Sequence, residues 1–131
     1  MNKRVKSEKK GAKISILVPI YNVAAYLDEC LSSIKNQTLQ EIEIVCINDG
    51  STDNSLDIIK KYADGDDRFV IIDKKNSGYG DSMNQGLKTA TGEFIGIVES
   101  DDFVKREMFE DLYKLAHKNN AQVAKSNALW Y

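Results

Sequence analysis

Four apolar runs rich in β-branched residues recur along the chain: ISILVPI (14–20), EIEIVCIND (41–49), RFVIID (68–73) and EFIGIVES (93–100). Near-continuous apolar runs of this length read as strands covered on both faces, the pattern of a parallel sheet. The segments between them carry a helical period. Leu27, Cys30, Leu31 and Ile34 fall at i, i+3, i+4 and i+7, one face of a helix. STDNSLDIIKKYA (51–63) puts Leu56, Ile59 and Ala63 on one face, with Ser51 or Thr52 as its N-cap. A glycine-bearing loop then leads into a helix through Met83, Leu87 and Ala90, and Phe109, Leu112, Tyr113 and Ala116 mark another. AQVAKSNALWY (121–131) reads as the beginning of a fifth strand. Strands separated by helices predict an α/β fold, a mostly parallel open sheet with helices on both faces.

In such a sheet ligands bind beyond the carboxyl ends of the strands. The polar motifs of this chain all fall there. Strand one ends in Pro19-Ile20-Tyr21-Asn22 and strand two in Asn48-Asp49-Gly50-Ser51. Strand three leads into Asn76-Ser77-Gly78-Tyr79-Gly80, and strand four into Glu99-Ser100-Asp101-Asp102. Polar residues commonly end strands, but four such ends along one edge favour a site.

The last motif is the most demanding. Glu99, Asp101 and Asp102 crowd three carboxylates into four positions, and like charges this close disfavour one another's ionisation. A solvated loop, an acid/base pair and a divalent cation are the three ordinary explanations. A cation would offset the repulsion. Mg²⁺ and Mn²⁺ take few carboxylates and complete their shells with phosphate oxygens, which points to a phosphorylated substrate. The other ends suit a nucleotide. Tyr21 can stack on a base, Asp49 can accept from a ring N–H, and Gly78 and Gly80 let backbone approach a phosphate in front of a helix N-terminus. Asp49 also suits a plain turn before Gly50. Gly78, Gly80 and Gly86 have the wrong spacing and position for a dinucleotide-binding fingerprint.

Charge and cysteine usage narrow the partners. Of 18 basic and 20 acidic residues, six bases and one acid lie in residues 1–13, so the remaining body is acidic. That argues against nucleic acid. Residues 1–12 read as a basic disordered tail, able to touch anionic lipid, and 13–131 as one domain. Cys30 and Cys46 belong to no metal-binding or redox motif and read as buried thiols of a reducing compartment. No apolar signal region or membrane-length run is present. These features predict a cytoplasmic chain, with contact at the inner face of the membrane open to it. His117, the single histidine, reads as a surface or packing residue.

VPIYN (18–22), NDGSTDNS (48–55) and NSGYGDSMNQGLKTATGEFIGIVESDDF (76–103) together resemble the family 2 glycosyltransferases of the GT-A fold, over about residues 13–131. The resemblance implies a Rossmann-like half-sheet that binds a nucleotide-sugar, usually a UDP-sugar. It implies inverting transfer of the sugar to a saccharide or lipid-linked acceptor. By position, Pro19 and Tyr21 resemble the base-contacting end of strand one, and Asp49 the carboxylate that reads uracil. Glu99-Ser100-Asp101 occupies the DXD motif. Asp101 would ligate Mn²⁺ or Mg²⁺ with Asp102 alongside, and Glu99 would approach the ribose. Two positions depart from the pattern: Glu99 stands where Asp is commoner, and Met83 where many members carry Arg.

Such enzymes continue into an acceptor-binding half that supplies the catalytic base. The resemblance therefore places the base beyond Tyr131 and implies a chain that binds donor without transferring sugar. It also leaves apolar surface at Leu129, Trp130 and Tyr131 available for self-association. Two other readings stay open. One is a non-catalytic nucleotide-binding or interaction module. The other is nucleotidyl transfer, which would ordinarily show a basic, glycine-rich signature near strand one.

Overall fold

In the computed structural model, which describes residues 11–120, the elements alternate throughout: β1 (Ile14–Ile20), α1 (Ala24–Lys35), β2 (Ile42–Asp49), α2 (Ser55–Ala63), β3 (Phe69–Lys74), α3 (Tyr79–Thr89), β4 (Phe94–Ile97) and α4 (Met108–Lys118). The sheet order is β3-β2-β1-β4, and every pairing is parallel. The predicted α/β fold is present. Residues 1–10 of the basic tail, the fifth strand and the apolar Leu129–Tyr131 end lie outside the described residues, while Ala12 O accepts from the Glu93 amide at 3.1 Å and so joins the sheet edge.

Alternating side chains of the middle strands explain the layers. Ile14, Ile16, Val18 and Ile20 of β1 pack with Ile42, Ile44 and Cys46 of β2 against Leu27, Cys30, Leu31 and Ile34 of α1, Ile59 of α2 and Phe109 of α4. Leu17, Val45 and Ile47 point the other way, where Met83 and Ala90 cover them. Three helices thus occupy one face and α3 the other. The topology accounts for this split. β1 to β3 step in one direction through α1 and α2, and α3 carries the chain back across the sheet to β4.

Three expectations are corrected. α2 begins at Ser55 with Asn54 at its N-cap position and not Ser51 or Thr52: those two are engaged by Asn22 of the neighbouring loop, and Asp53 Oδ1 accepts from the Ser55 amide at 3.0 Å. Leu87 is half exposed. α3 meets the sheet through Ser82 and Gly86 instead, and a Cβ at Gly86 would come within 3.1 Å of Ile47. β4 is shorter than the run 93–100 and borders the described sheet, so Ile95 and Ile97 are 43% and 52% exposed.

Pro19 explains the early end of β4. Val98 donates its backbone N–H to Leu17 O at 3.0 Å. The next rung toward β4 would need an amide at position 19, and proline has none. The ladder stops there, and the chain is released into the acidic turn.

At the opposite, amino-terminal edge a buried polar cluster locks the sheet. Ser15 donates through its hydroxyl to Glu43 Oε1 at 2.6 Å, which also accepts from the Thr91 amide at 2.9 Å. The Gly92 amide donates to Ser15 Oγ at 2.7 Å. A Cβ at Gly92 would lie 2.5 Å from the Ser15 backbone nitrogen. Gly92→Ala is expected to destabilise the fold by about 1–3 kcal/mol, read as a lower urea midpoint at unchanged slope.

Candidate functional site

The β1–α1 and β2–α2 loops are clasped together before any ligand is considered. Asn22 sits in the left-handed region at φ 51°. Its Oδ1 accepts from the amides of Thr52 at 2.7 Å and Asp53 at 3.3 Å. In return, the amides of Asn22, Val23 and Ala24 donate to Ser51 Oγ (3.0 Å), Ser55 Oγ (3.3 Å) and Asp53 Oδ2 (3.1 Å). These amides open α1, and a helix start needs acceptors for them. Here the acceptors come from the next loop. The clasp fixes Tyr21 at the carboxyl edge with its side chain half exposed, beside the end of β2.

Asp49, the last residue of β2, is 6% exposed. Its Oδ1 accepts from the Lys74 ammonium and from the Ser77 amide at 2.8 Å. Its Oδ2 accepts from the Gly78 amide at 3.1 Å, with Asn76 Nδ2 at 3.5 Å. A carboxylate has about four acceptor positions. Three are filled well, and the Asn76 contact is at the limit of a hydrogen bond. Burial works against the charged form of Asp49, but the Lys74 ammonium and the two amides outweigh it and hold the carboxyl below its usual range. Burial likewise opposes the charge of Lys74, and Asp49 with Asp81 holds it above its usual range. Lys74 also reaches Ser77 Oγ and lies 3.2 Å from Asp81. Asp49 is therefore more than a turn residue: it pins the β3–α3 loop to the end of β2. Gly50 makes this possible, since at φ 72° its missing Cβ would sit 2.5 Å from Asn76 N.

Gly78 is the N-cap position of α3 at φ 101°, while Gly80 lies inside the first turn and not in the loop. A Cβ at either would meet nothing within 4 Å, so the surface in front of both is open. The Gly78 amide is already committed to Asp49.

The acid motif is a tight turn closed by the Asp102 amide donating to Glu99 O at 3.0 Å. Ser100 is buried beneath it, and Glu99, Asp101 and Asp102 are exposed. Cys30 of α1 donates its thiol to Glu99 O at 3.7 Å, and the Val104 amide donates to Ser33 Oγ at 3.1 Å. The turn thus lies along α1. Burial, then the charges of Asp102, Asp101 and Glu99, push the Cys30 thiol up to about 12. Cys46 is raised by burial, and both cysteines are the buried thiols expected. His117 matches its expectation as a packing residue, held 3.0 Å from Glu93 Oε2 beside the rings of Phe94 and Tyr113.

Among the described residues no group of three or more His, Cys, Asp or Glu side chains is arranged to hold a metal ion. The turn offers two exposed carboxylates, Asp101 and Asp102, with Glu99 taken by another partner: Tyr79 donates its hydroxyl to Glu99 Oε2 at 2.9 Å. Two hard oxygen donors in an open turn suit a cation that draws its remaining ligands from diphosphate and water. They do not suit a closed structural site.

The structure therefore brings Pro19, Tyr21, Asp49, Gly78, Gly80, Glu99, Asp101 and Asp102 to one edge, as their positions on the parallel strands predicted. Asn22, Asp53 and Tyr79 fall within the motifs but were given no role of their own by the sequence, and Lys74 was not named. Lys74 directly ends a strand next to the glycine loop, which was the one local hint of its role.

Comparison with known proteins agrees with this arrangement. A profile of Glycosyl transferase family 2 matches residues 15–131. Glycosyltransferase GlyG of Streptococcus pneumoniae is 44% identical over 115 residues, 87% of this chain and 38% of its own length. The crystal structure of S. aureus TarS 1-349 in complex with UDP-GlcNAc superposes with a TM-score of 0.77 at 34% identity, covering 82% of this chain and 32% of that one. The mannosyltransferase PcManGT from Pyrobaculum calidifontis, in complex with GDP-Man and Mn²⁺, gives 0.65 at 25% identity, over 70% of this chain and 28% of that one. The chain spans between 16% and 38% of the length of five curated relatives it matches.

The clasp generates a prediction. The Ser55 hydroxyl, then the Ser55 and Ala24 amides, hold Asp53 below the usual carboxylate range. Asp53→Ala should cost about 0.5–2 kcal/mol, the worth of a helix cap. A depressed carboxyl contributes stability above its unfolded value, near ~4, and loses it as pH falls through the folded one. The gap between parent and variant unfolding free energies should therefore be present at pH 7 and shrink below about pH 4.

Proposed function

The chain belongs to glycosyl transferase family 2, and on that premise we propose that it is the donor-binding part of an enzyme moving a sugar, with inversion, from a UDP-sugar to a saccharide or lipid-linked acceptor. The observation that carries this reading is the meeting of a nearly buried carboxylate, Asp49, and an exposed pair, Asp101 and Asp102, on one carboxyl edge of a parallel sheet. Asp49 keeps one acceptor position for the N3–H of uracil. Tyr21 stacks on the base, and Pro19 shapes the end of β1 beneath it. Glu99 faces the ribose. Gly78 and Gly80 leave room for the diphosphate at the start of α3. UDP-GlcNAc in TarS and GDP-Man with Mn²⁺ in PcManGT support a nucleotide-sugar donor and a divalent metal for this site.

Asp101 and Asp102 would hold Mn²⁺ or Mg²⁺. When bound, the cation stabilises negative charge on a departing nucleoside diphosphate. This chain's residues bind and orient the donor around it. Positioning the acceptor and removing its proton are assigned to residues outside this arrangement.

Calorimetric titration of UDP with and without Mn²⁺ tests the reading. Mn²⁺ is expected to raise UDP affinity at least tenfold, about 1.4 kcal/mol, and Asp101→Asn to remove that increment. Equal UDP affinity for parent and variant, with and without Mn²⁺, would refute it.

A further inference from the structure

We infer that Lys74 is a specificity-determining positioning residue: it fixes the Asp49 carboxylate as a hydrogen-bond acceptor, so that this edge selects a base bearing an N–H over one bearing a lone pair. The inference rests on the proposed role of Asp49 in reading the base.

The geometry is unusual for a strand-end lysine. Lys74 is the last residue of β3, and its side chain is only 14% exposed. Register places it directly beside Asp49 across the β2–β3 ladder. Its ammonium donates to Asp49 Oδ1 and to Ser77 Oγ and pairs with Asp81 on the first turn of α3. Ser77 in turn donates its hydroxyl to Asp81 Oδ2 at 2.6 Å. One cation thereby joins β2, β3, the glycine loop and α3. The charged groups around Asp49 are Lys74 and, behind it, Asp81. Asp73 is turned to the other face, where Asn48 donates to it at 3.0 Å.

The consequence for recognition is chemical. Lys74 and the Ser77 amide fill Oδ1, and the Gly78 amide fills part of Oδ2. The remaining position is an acceptor as long as the group is ionised. It then suits the N3–H of uracil or the N1–H of guanine, whereas cytosine presents a bare N3. Without the ammonium, burial is opposed only by amides, and the neutral acid gains ground. A neutral carboxyl can donate an O–H, which suits cytosine N3. The same side chain would read the opposite pattern. A merely structural lysine would weaken every nucleotide alike.

The test is titration of the 131-residue chain with UDP and CDP, at fixed Mn²⁺, from pH 5 to 8. Parent, K74Q, K74R and D49N are compared, with circular dichroism confirming the fold. Parent is expected to prefer UDP at every pH. K74Q should lose about tenfold or more of that preference, the worth of a hydrogen bond to a charged group. Its UDP affinity should fall toward pH 5 as Asp49 takes up a proton, while its CDP affinity rises. K74R, which keeps a charged donor, should retain most of the preference. If K74Q keeps the parental UDP:CDP ratio across the range, Lys74 is structural and the inference fails, while a loss of preference in D49N still upholds base reading by Asp49. A parent with no preference overturns both. Should K74Q not fold, the carboxyl carbon of Asp49 can be followed by NMR in the parent. It should stay ionised throughout this range, and protonation within it would overturn the inference.

Discussion

β1 leaves none of its seven residues exposed, and the rest of the molecule is arranged around that burial. A strand covered on both faces and paired on both edges has one tolerated register, since a one-residue slip would exchange its two sets of side chains. Ile14 beside Ile42 and Phe94 sets that register. Because all pairings are parallel, it also sets which residues emerge at the carboxyl edge: Tyr21 from β1, Asp49 from β2, Lys74 from β3 and the acid turn from β4. Burying Ile16, Leu17, Val18, Ile44, Val45 and Ile47 completely removes apolar area from water at roughly 25 cal/mol per Å². That favourable term supports an edge where carboxylates and loop amides are brought together.

The edge is costly because buried polar groups need partners. The chain answers with reciprocal loop contacts rather than caps within each helix. α1, α2, α3 and α4 all lack a side-chain cap at their own N-cap residue. α1 takes acceptors from Ser51, Asp53 and Ser55, and the loop before α3 takes its acceptor from Asp49. The starts of α1 and α3 are thus held by the loop or strand end beside them, while the first amide of α2, that of Ser55, donates to nearby Asp53 Oδ1 at 3.0 Å. Position in the site and stability of the helix become the same set of hydrogen bonds.

This explains which features were legible in sequence. Leu27, Cys30, Leu31 and Ile34 show a helical period because α1 meets the sheet through large apolar residues. The strands were legible because β1 and β2 are buried on both faces. α3 misled the pattern: its close approach needs Ser82 and Gly86, so the apolar Leu87 is left outside. The α2 start misled it as well, since Ser51 faces Asn22 and not its own helix. Lys74 and Asp49 lie 25 residues apart, and only the β2–β3 register joins them. Local spacing carries no record of such a pairing. The edge was legible because topology alone dictates it. The duties within it were not, because they depend on contacts between loops.

Glu99 shows how a departure in sequence can be matched in structure. At a position where a shorter acid is commoner in the resembled family, the longer side chain places its carboxylate 2.9 Å from the Tyr79 hydroxyl. That bond comes first among the influences holding the tyrosine above its ordinary range. Both side chains are exposed, so the contact contributes little to stability. Its effect is on orientation. Ser77 and Gly78 are pinned to Asp49, and Tyr79, the next residue, reaches the acid turn. Three consecutive residues therefore span from the carboxylate assigned to the base to the turn assigned to the metal. The Glu99 carboxylate is thus the point at which the loop held by Asp49 touches the acid turn.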